Sequence, residues 1–244
     1  MIPKTIHYCW FSGEKKPKNI QKCIDSWSKV MPNYNIKCWD GNSFDFNSVK
    51  FVRDAMAAKK YAFAADYVRL YALYTEGGIY LDSDVLTKRP FDIFLNNAFF
   101  CGTEAYYANN NLNYRMEAAI MGAEKGDKFI KKCLDYYSAK EFTLERTEND
   151  IVMPAIISNL AEEYGYQYKN TEQHINNLTI YPTSFFTNTL HPDTYSSDGI
   201  YAIHQNAGSW IDYSNRGRLC RFCKKNNLMN LYRFIESFNK NGND

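Results

Sequence analysis

The segment that most constrains the fold is residues 77–84, where a helical pattern stops, a short apolar strand follows and two carboxylates come next. Gly77 or Gly78 can end the helix, because a residue without a side chain adopts the left-handed conformation at little cost. Residues 79–81 then predict a buried strand. In an extended backbone, residues i and i+2 point to the same side, so Asp82 and Asp84 are expected to face one point. Close carboxylates repel unless a cation lies between them, so the pattern indicates a divalent cation site, although Asp-x-Asp triplets also occur in ordinary surface turns.

The N-terminal elements predict the fold class. Residues 4–11 form a candidate strand, residues 17–30 an amphipathic helix and residues 35–39 a second strand. This β-α-β order implies parallel strands joined by a right-handed crossover, as in a nucleotide-type α/β fold. The length of 244 residues suits one large domain, which we expect in residues 1–215, followed by a helical extension in residues 216–244.

Later elements are less regular. We expect two helices between residues 51 and 76, a strand at residues 98–102, a loop at 106–115, and either a strand or a buried helix at 116–121. In the second half of the chain we expect a helix at 128–137 and a helix at 151–164 that polar side chains at 148–150 would cap. We also expect a strand at 178–182, an irregular loop after residue 182, and a strand at 200–204 that ends at His204.

Composition excludes several classes of protein. The net charge of +2 argues against a general nucleic-acid binder, and 45% hydrophobic residues argue against disorder. The seven cysteines are scattered, which is typical of reduced thiols in a cytosol, and the one close pair, Cys220 and Cys223, is weak evidence for zinc. The N-terminus lacks a signal-peptide pattern and no apolar run reaches a spanning length, so we expect a cytoplasmic protein.

A charged pair interrupts an otherwise apolar helix. Asp66 and Arg69 are three residues apart, close enough to touch, among Ala, Phe, Val and Leu residues. Burying such a pair is costly without partners, so it lies at a rim or binds something polar, and the sequence leaves both open. His204 is a further candidate, because a strand-end histidine could supply the third ligand that a two-aspartate site lacks.

The C-terminal extension mixes basic residues with Leu, Tyr and Phe. A segment of this composition can lie on the anionic inner face of a membrane, or it can pack on the domain as a solvated helix. Both interpretations remain open.

Four blocks in this order resemble the glycosyltransferase family 32 sugar transferases of capsule and surface-polysaccharide synthesis. Residues 2–10 are similar to the opening strand of the family, residues 65–69 to its helix motif, residues 77–84 to its DxD block, and residues 204–210 to its closing His and Ser-Trp signature. The match is loose over residues 100–200, and Met153-Pro154 stands where many members carry Gly-Pro.

The resemblance implies a GT-A fold, Rossmann-like with a mixed, mainly parallel sheet, and a retaining transfer that uses a UDP-sugar and Mn²⁺ or Mg²⁺. It assigns metal binding to Asp82, Asp84 and His204, nucleobase and ribose contacts to Cys9, Trp10 and Tyr80, donor-sugar contacts to Asp66 and Arg69, and closure over the diphosphate to Ser209 and Trp210.

Retention through a covalent intermediate needs a carboxylate behind the anomeric carbon. Glu148, Asn149 and Asp150 are the best candidates by resemblance, but we favour a same-face mechanism in which the leaving phosphate takes the acceptor's proton. Two other classes of function remain. A metal-dependent phosphoryl transferase or nuclease would need more acids and a basic groove, and a non-catalytic glycan-binding protein would not need Asp66 and Arg69 beside the metal acids.

Overall fold

The computed structural model describes residues 1–108, 111–143, 152–189 and 199–207. Within these residues the strands are β1 Thr5–Cys9, β2 Asn35–Trp39, β3 Gly78–Leu81, β4 Val85–Thr87, β5 Phe99–Ala108, β6 Asn111–Ala123, β7 Gln173–Ile175, β8 Leu178–Tyr181, β9 Phe186–Asn188 and β10 Ala202–His204. The α-helices are α1 Lys18–Val30, α2 Lys50–Ala57, α3 Tyr61–Glu76, α4 Lys128–Ala139 and α5 Met153–Ala161, and short 3-10 turns occupy Asp92–Phe94 and Glu162–Tyr164.

The central sheet has seven strands in the order β2-β1-β3-β6-β5-β8-β7. β1 pairs in parallel with both β2 and β3, which confirms the predicted β-α-β unit. β6 runs antiparallel to β3 and β5, β5 is parallel to β8, and β7 is antiparallel to β8. The α/β class and the mixed sheet are therefore confirmed, but parallel pairings equal antiparallel ones within the described residues, so "mainly parallel" was too strong a prediction.

A second, three-stranded sheet has the order β4-β10-β9. β10 pairs antiparallel with β4 and parallel with β9. The register places Val85 opposite His204. This sheet therefore joins the chain just after the two aspartates to the chain around residue 204, and β9 replaces part of the irregular loop that the sequence predicted after residue 182.

Helices cover both faces of the central sheet because their apolar stripes need burial. α1 buries Ile20, Cys23, Ile24 and Trp27, the residues that predicted it, against one face. α2, α3, α4 and α5 pack on the other face. α3 is buried over most of its length, and its burial includes the charged pair of residues 66 and 69.

The predicted loop at residues 106–115 was wrong. In the structure, β5 and β6 form a long hairpin in which Glu104 lies opposite Arg115 and Tyr106 opposite Asn113. Tyrosine and asparagine dominate this stretch, and a partly exposed two-stranded ribbon does not need the apolar alternation by which strands are recognised. Residues 116–121, left as strand or helix, belong to β6.

Gly77 and Gly78 connect α3 to β3 through backbone angles that other residues avoid, with φ of 70° and 108°. A Cβ on Gly78 would lie 2.6 Å from the carbonyl oxygen of Thr5 and 2.9 Å from Nε2 of His7. Trp39 Nε1 donates to His7 Nδ1 at 3.1 Å, so Nε2 carries the proton and donates to the Gly77 carbonyl at 2.8 Å. Burial lowers the pKa of His7, which keeps the ring neutral in this role.

Several predictions lie outside the described residues. They concern Glu148, Asn149, Asp150, Ser209 and Trp210, the pair Cys220 and Cys223, and the domain boundary at residue 215 with the extension beyond it. α5 begins after Val152, which provides no side-chain cap. The five cysteines in the described ranges are free thiols. None of the helices described here combines the length and apolar character needed to span a bilayer.

Candidate active site

The two aspartates follow β3 at the end of the sheet, as predicted, but the backbone between them is a turn. The amide of Val85 donates to the carbonyl of Asp82 at 2.9 Å, so residues 82–85 curl rather than extend. The argument from strand periodicity was therefore wrong for Asp84. The turn nevertheless keeps both carboxylates at one place, since their ligand atoms lie within 4.8 Å of one another.

His204 joins the two aspartates. Ligand atoms of Asp82, Asp84 and His204 all lie within 4.8 Å of one another. Nε2 of His204 is 3.5 Å from Oδ1 of Asp84. The cause is the pairing of β10 with β4, which sets His204 opposite the residue that follows Asp84, and a further backbone bond of 3.1 Å joins the Gln205 amide to the Asp84 carbonyl.

Protein donors hold one oxygen of each aspartate. Oδ1 of Asp82 accepts a hydrogen bond from the Tyr80 hydroxyl at 3.0 Å and lies 3.3 Å from Nη2 of Arg69. Oδ2 of Asp84 accepts the amide of Ala207 at 2.7 Å. The described residues give Oδ2 of Asp82 no partner, and Oδ1 of Asp84 faces only His204. These two oxygens and the imidazole are therefore available to a cation.

Arg69 links the charged pair of α3 to this site. Its Nη2 is 3.1 Å from Oδ1 of Asp66, and its Nη1 donates to the carbonyl of Ala118 in β6 at 2.7 Å. The guanidinium also lies 4.6 Å from the ring centroid of Tyr80. Of the alternatives left open by the sequence, the rim location is excluded, because the side chain of Arg69 is only 6% exposed.

Burial changes the proton affinities of the carboxyl groups. Desolvation raises the pKa of Asp66 to about 7, although the neighbouring Arg69 opposes the rise. Desolvation also raises the pKa of Asp84, which the positive charge of His204 opposes. Burial lowers the guanidinium pKa of Arg69, but the surrounding acidic groups, of which Asp82 contributes most, together outweigh that effect and raise the pKa, so Arg69 stays charged.

Glu117, in β6, is a site residue that the sequence interpretation missed. Its Oε1 lies 3.1 Å from Nδ1 of His204 and 3.3 Å from the amide of Ala119, and the residue is 1% exposed. Although burial opposes protonation, the hydrogen bond to Glu117 and the negative charges of Glu117, Asp84 and Asp82 together raise the pKa of His204 to about 10 when no cation is bound. The available signal was a lone carboxylate inside the apolar run of residues 116–121.

Three of the predicted nucleotide-binding residues lie on or next to the neighbouring strands β1 and β3. Cys9 lies beside Tyr80 and Arg69, and burial raises the pKa of its thiol. Trp10 is half-buried, and its Nε1 donates to the carbonyl of Glu14 at 2.8 Å. Tyr80 is 1% exposed, so its hydroxyl acts on Asp82. The structure thus places Cys9 and Tyr80 next to the acidic cluster, with Trp10 in the loop that follows.

The donor set fits a divalent cation. Two carboxylate oxygens with one imidazole suit Mn²⁺, which accepts both types of ligand, and they suit Mg²⁺ through the oxygens. The carboxylate of Glu117 on the second nitrogen of His204 is the arrangement that commonly orients a histidine toward a metal. The fixed positive charge of Arg69 offsets only part of the negative charge of the acids.

Comparisons with known proteins find glycosyltransferases among the relatives of this chain. A glycosyltransferase of Acanthamoeba polyphaga mimivirus is 23% identical over 239 residues, which cover 94% of this chain and 90% of that protein. Inositol phosphoceramide mannosyltransferase 3 of Schizosaccharomyces pombe is 31% identical over 137 residues, covering 53% of this chain and 35% of that protein. This chain thus aligns with only about a third of the mannosyltransferase.

Among solved structures, the PaToxG glycosyltransferase aligns with a TM-score of 0.49 and 19% identity, covering 66% of this chain and 69% of that one. The galactosyltransferase LgtC aligns with a TM-score of 0.45 and 10% identity, covering 83% and 87%. A family model described as capsular polysaccharide synthesis protein matches residues 1–206. The family model and the protein relatives confirm the resemblance to glycosyltransferase family 32 and support a glycosyltransferase function, and the chain belongs to the capsular polysaccharide synthesis protein family.

Proposed function

We propose that this protein is a metal-dependent, retaining glycosyltransferase of the GT-A type that moves a sugar from a UDP-sugar to a glycan hydroxyl in polysaccharide synthesis. The observation that carries the proposal is the convergence of Asp82, Asp84 and His204 within 4.8 Å. The buried Arg69 beside them adds a fixed positive charge.

Asp82, Asp84 and His204 would hold Mn²⁺ or Mg²⁺, which when bound stabilises the negative charge of the departing nucleotide diphosphate as a Lewis acid. Tyr80 and Arg69 keep Asp82 oriented through its Oδ1. Glu117 holds the ring of His204 with Nε2 toward Asp84. This preorganisation means that the ligands need not reorient when the donor binds.

Donor contacts are assigned by position. Cys9 and Trp10, at the end of β1, would hold the nucleobase, and Asp66 with Arg69 would contact the donor sugar. Because both members of that pair are buried, a sugar contact would use the small exposed part of the Asp66 carboxylate, whose side chain is 11% exposed. The predicted contact of Tyr80 with the ribose stays a prediction.

For retention we favour the same-face route, in which the leaving phosphate accepts the proton of the attacking hydroxyl. The covalent alternative would need a carboxylate behind the anomeric carbon, for which the candidates remain Glu148 and Asp150, with Asn149 between them. The anomeric configuration of the first-formed product, read by NMR, tests retention itself. Ser209 and Trp210 as a closing segment, a lipid-linked acceptor, the cytoplasmic location and membrane contact by residues 216–244 are further predictions of this proposal.

The test is hydrolysis and transfer across a panel of UDP- and GDP-sugars, with Mn²⁺, with Mg²⁺ and with chelator. We expect turnover of a UDP-sugar that chelator abolishes. In Asp84→Asn the metal-stimulated rate of turnover should fall at least about 100-fold, because the substitution removes the charge of a metal ligand. The variant should remain folded, because the side chain keeps its shape.

Asp135→Asn is the matched control, because this exposed aspartate of α4 pairs only with Lys131 among the described residues. It should behave as wild type. If no nucleotide sugar is bound or turned over and chelator has no effect, the proposal fails. Cleavage of a phosphodiester substrate instead would favour the phosphoryl-transfer alternative.

A further inference from the structure

The β5–β6 hairpin extends beyond the end of the central sheet at which Asp82 lies. β5 pairs with β8 only from Phe99 to Gly102, and β6 pairs with β3 only from Ile120 to Ala123. Since Ile120 is opposite Leu81, the last residue of β3, the rest of the hairpin projects past the start of the aspartate turn. In this projection, residues 103–108 and 111–116 pair with one another.

One face of the projection carries polar side chains. Glu104 lies opposite Arg115 in the register, and Glu117 follows Arg115 on β6 just where the β5–β6 register shifts. Glu117 lies close enough to Glu104 for its negative charge to raise the pKa of that carboxyl. Tyr106 is two residues beyond Glu104 and lies on the same face. Glu117 reaches His204, so this face borders the metal-ligand cluster.

The centre of this face is a partly desolvated ion pair. Both Nη2 and Nε of Arg115 donate to the same oxygen of Glu104, Oε1, at 2.6 and 3.2 Å. The two side chains are 16% and 18% exposed, and the guanidinium lies 4.3 Å from the ring centroid of Tyr106. The described residues give no partner to the second oxygen of Glu104 or to Nη1 of Arg115. The pair is thus held in one geometry, while one carboxylate oxygen and one guanidinium nitrogen remain available for hydrogen bonds to a ligand.

Stability alone does not account for this pair. Removing two charges from water costs several kcal/mol by order of magnitude, and an apolar cross-strand pair would hold the ribbon without that cost. Burial raises the pKa of Glu104, and the negative charge of Glu117 raises it further. A carboxylate acceptor beside a guanidinium donor matches adjacent sugar hydroxyls, each of which donates and accepts.

We propose that Glu104 and Arg115 form the acceptor subsite, binding the hydroxyl groups of an uncharged pyranose beside the metal-ligand cluster, with Tyr106 fixing the plane of the guanidinium. An uncharged sugar is favoured because the pair is neutral and Glu117, close by, would repel an anionic acceptor. This subsite rests on the proposed glycosyltransferase function, for which it supplies the second substrate.

The test compares Glu104→Gln and Arg115→Met with wild type at saturating donor. The acceptor probes are the methyl α- and β-pyranosides of glucose, galactose and mannose. We expect the acceptor KM to rise at least about tenfold and the ratio of transfer to donor hydrolysis to fall, because a charge-assisted hydrogen bond to the sugar is lost. Glu104→Gln is nearly isosteric, so it remains informative if Arg115→Met folds poorly.

Glu76→Gln is the matched control. Glu76 pairs with Lys37 at the opposite end of β3. Its replacement should therefore change neither the acceptor KM nor the ratio of transfer to donor hydrolysis. A wild-type acceptor KM in both test variants would overturn the subsite. So would the absence of any pyranoside contact with wild type in saturation-transfer NMR with UDP and Mn²⁺ present. Donor hydrolysis by the same wild-type sample would leave the proposed function standing, whereas its absence would count against that function itself.

Discussion

Replacing Arg69 tests the buried charge network at the site most directly. The guanidinium contacts Asp66, Asp82 and the carbonyl of Ala118, and its side chain is 6% exposed. Arg69→Met keeps most of the apolar stem but leaves the carboxylates without their cation. We expect the free energy of unfolding to fall by about 3–5 kcal/mol at pH 8.5, as when one member of a buried ion pair is removed.

The loss of stability in Arg69→Met should depend on pH, because Asp66 can take up a proton. Burial raises the pKa of Asp66 to about 7 while Arg69 opposes the rise, so the variant should have a still higher pKa. A carboxyl pKa above its unfolded value means that stability falls as pH rises, until the folded pKa is passed. In wild type the free energy of unfolding stops falling near pH 7. In Arg69→Met it continues to fall above pH 7, by about 1.4 kcal/mol per pH unit. The difference between the two proteins should thus be about 2 kcal/mol larger at pH 8.5 than at pH 7 or below.

Urea unfolding followed by tryptophan fluorescence at pH 6, 7 and 8.5, with chelator present, measures this difference. The double variant Asp66→Asn, Arg69→Met is the control, because it lacks the carboxyl group of Asp66. Its difference from wild type in the free energy of unfolding should not increase above pH 7. A constant difference between wild type and Arg69→Met from pH 6 to pH 8.5 would refute the assignment of this pH dependence to Asp66.

Two further predictions concern positions near the site. Glu117→Leu should weaken Mn²⁺ binding, followed by electron paramagnetic resonance, about 10–100-fold, because His204 loses the carboxylate that orients it; unchanged affinity would remove Glu117 from this role. Gly78→Ala should destabilise the protein by at least about 2 kcal/mol more than Gly126→Ala, since both glycines have positive φ but only at Gly78 would a Cβ meet other atoms; equal losses in urea unfolding would show that the close contact is tolerated.

The elements that the sequence predicted well are those in which local pattern and tertiary demand agree. α1 shows its buried face at helical spacing, and Asn35–Trp39 is a strand with the predicted bounds. The aspartates could be placed because a helix stop and an apolar strand precede them. For Asp66 and Arg69, charges on an apolar helix signalled something unusual, and the contact of Arg69 with Asp82 supplied the reason.

What the sequence did not predict depends on cross-strand neighbours. The projecting part of the β5–β6 hairpin has no separate apolar face from which a strand period could be read, so residues 106–115 resembled a loop. Glu117 was missed because its partner, His204, is 87 residues away. The logic applied to residues 66 and 69, that a lone charge in an apolar run needs a partner, would have marked Glu117 as well.

Strand register determines whether the site exists at all. Asp82 follows β3, whose pairing with β6 sets Leu81 opposite Ile120 and brings the carbonyl of Ala119 to the Asp82 amide at 2.9 Å. His204 faces the acids because β10 pairs with β4 in a register that sets it opposite Val85. A slip of one residue in either pair would turn the side chains to the opposite face of the strand. The two sheets therefore position the site as well as forming the core. The backbone hydrogen bonds that fix their register also hold the aspartate turn, β6 and the end of β10 around the candidate cation site.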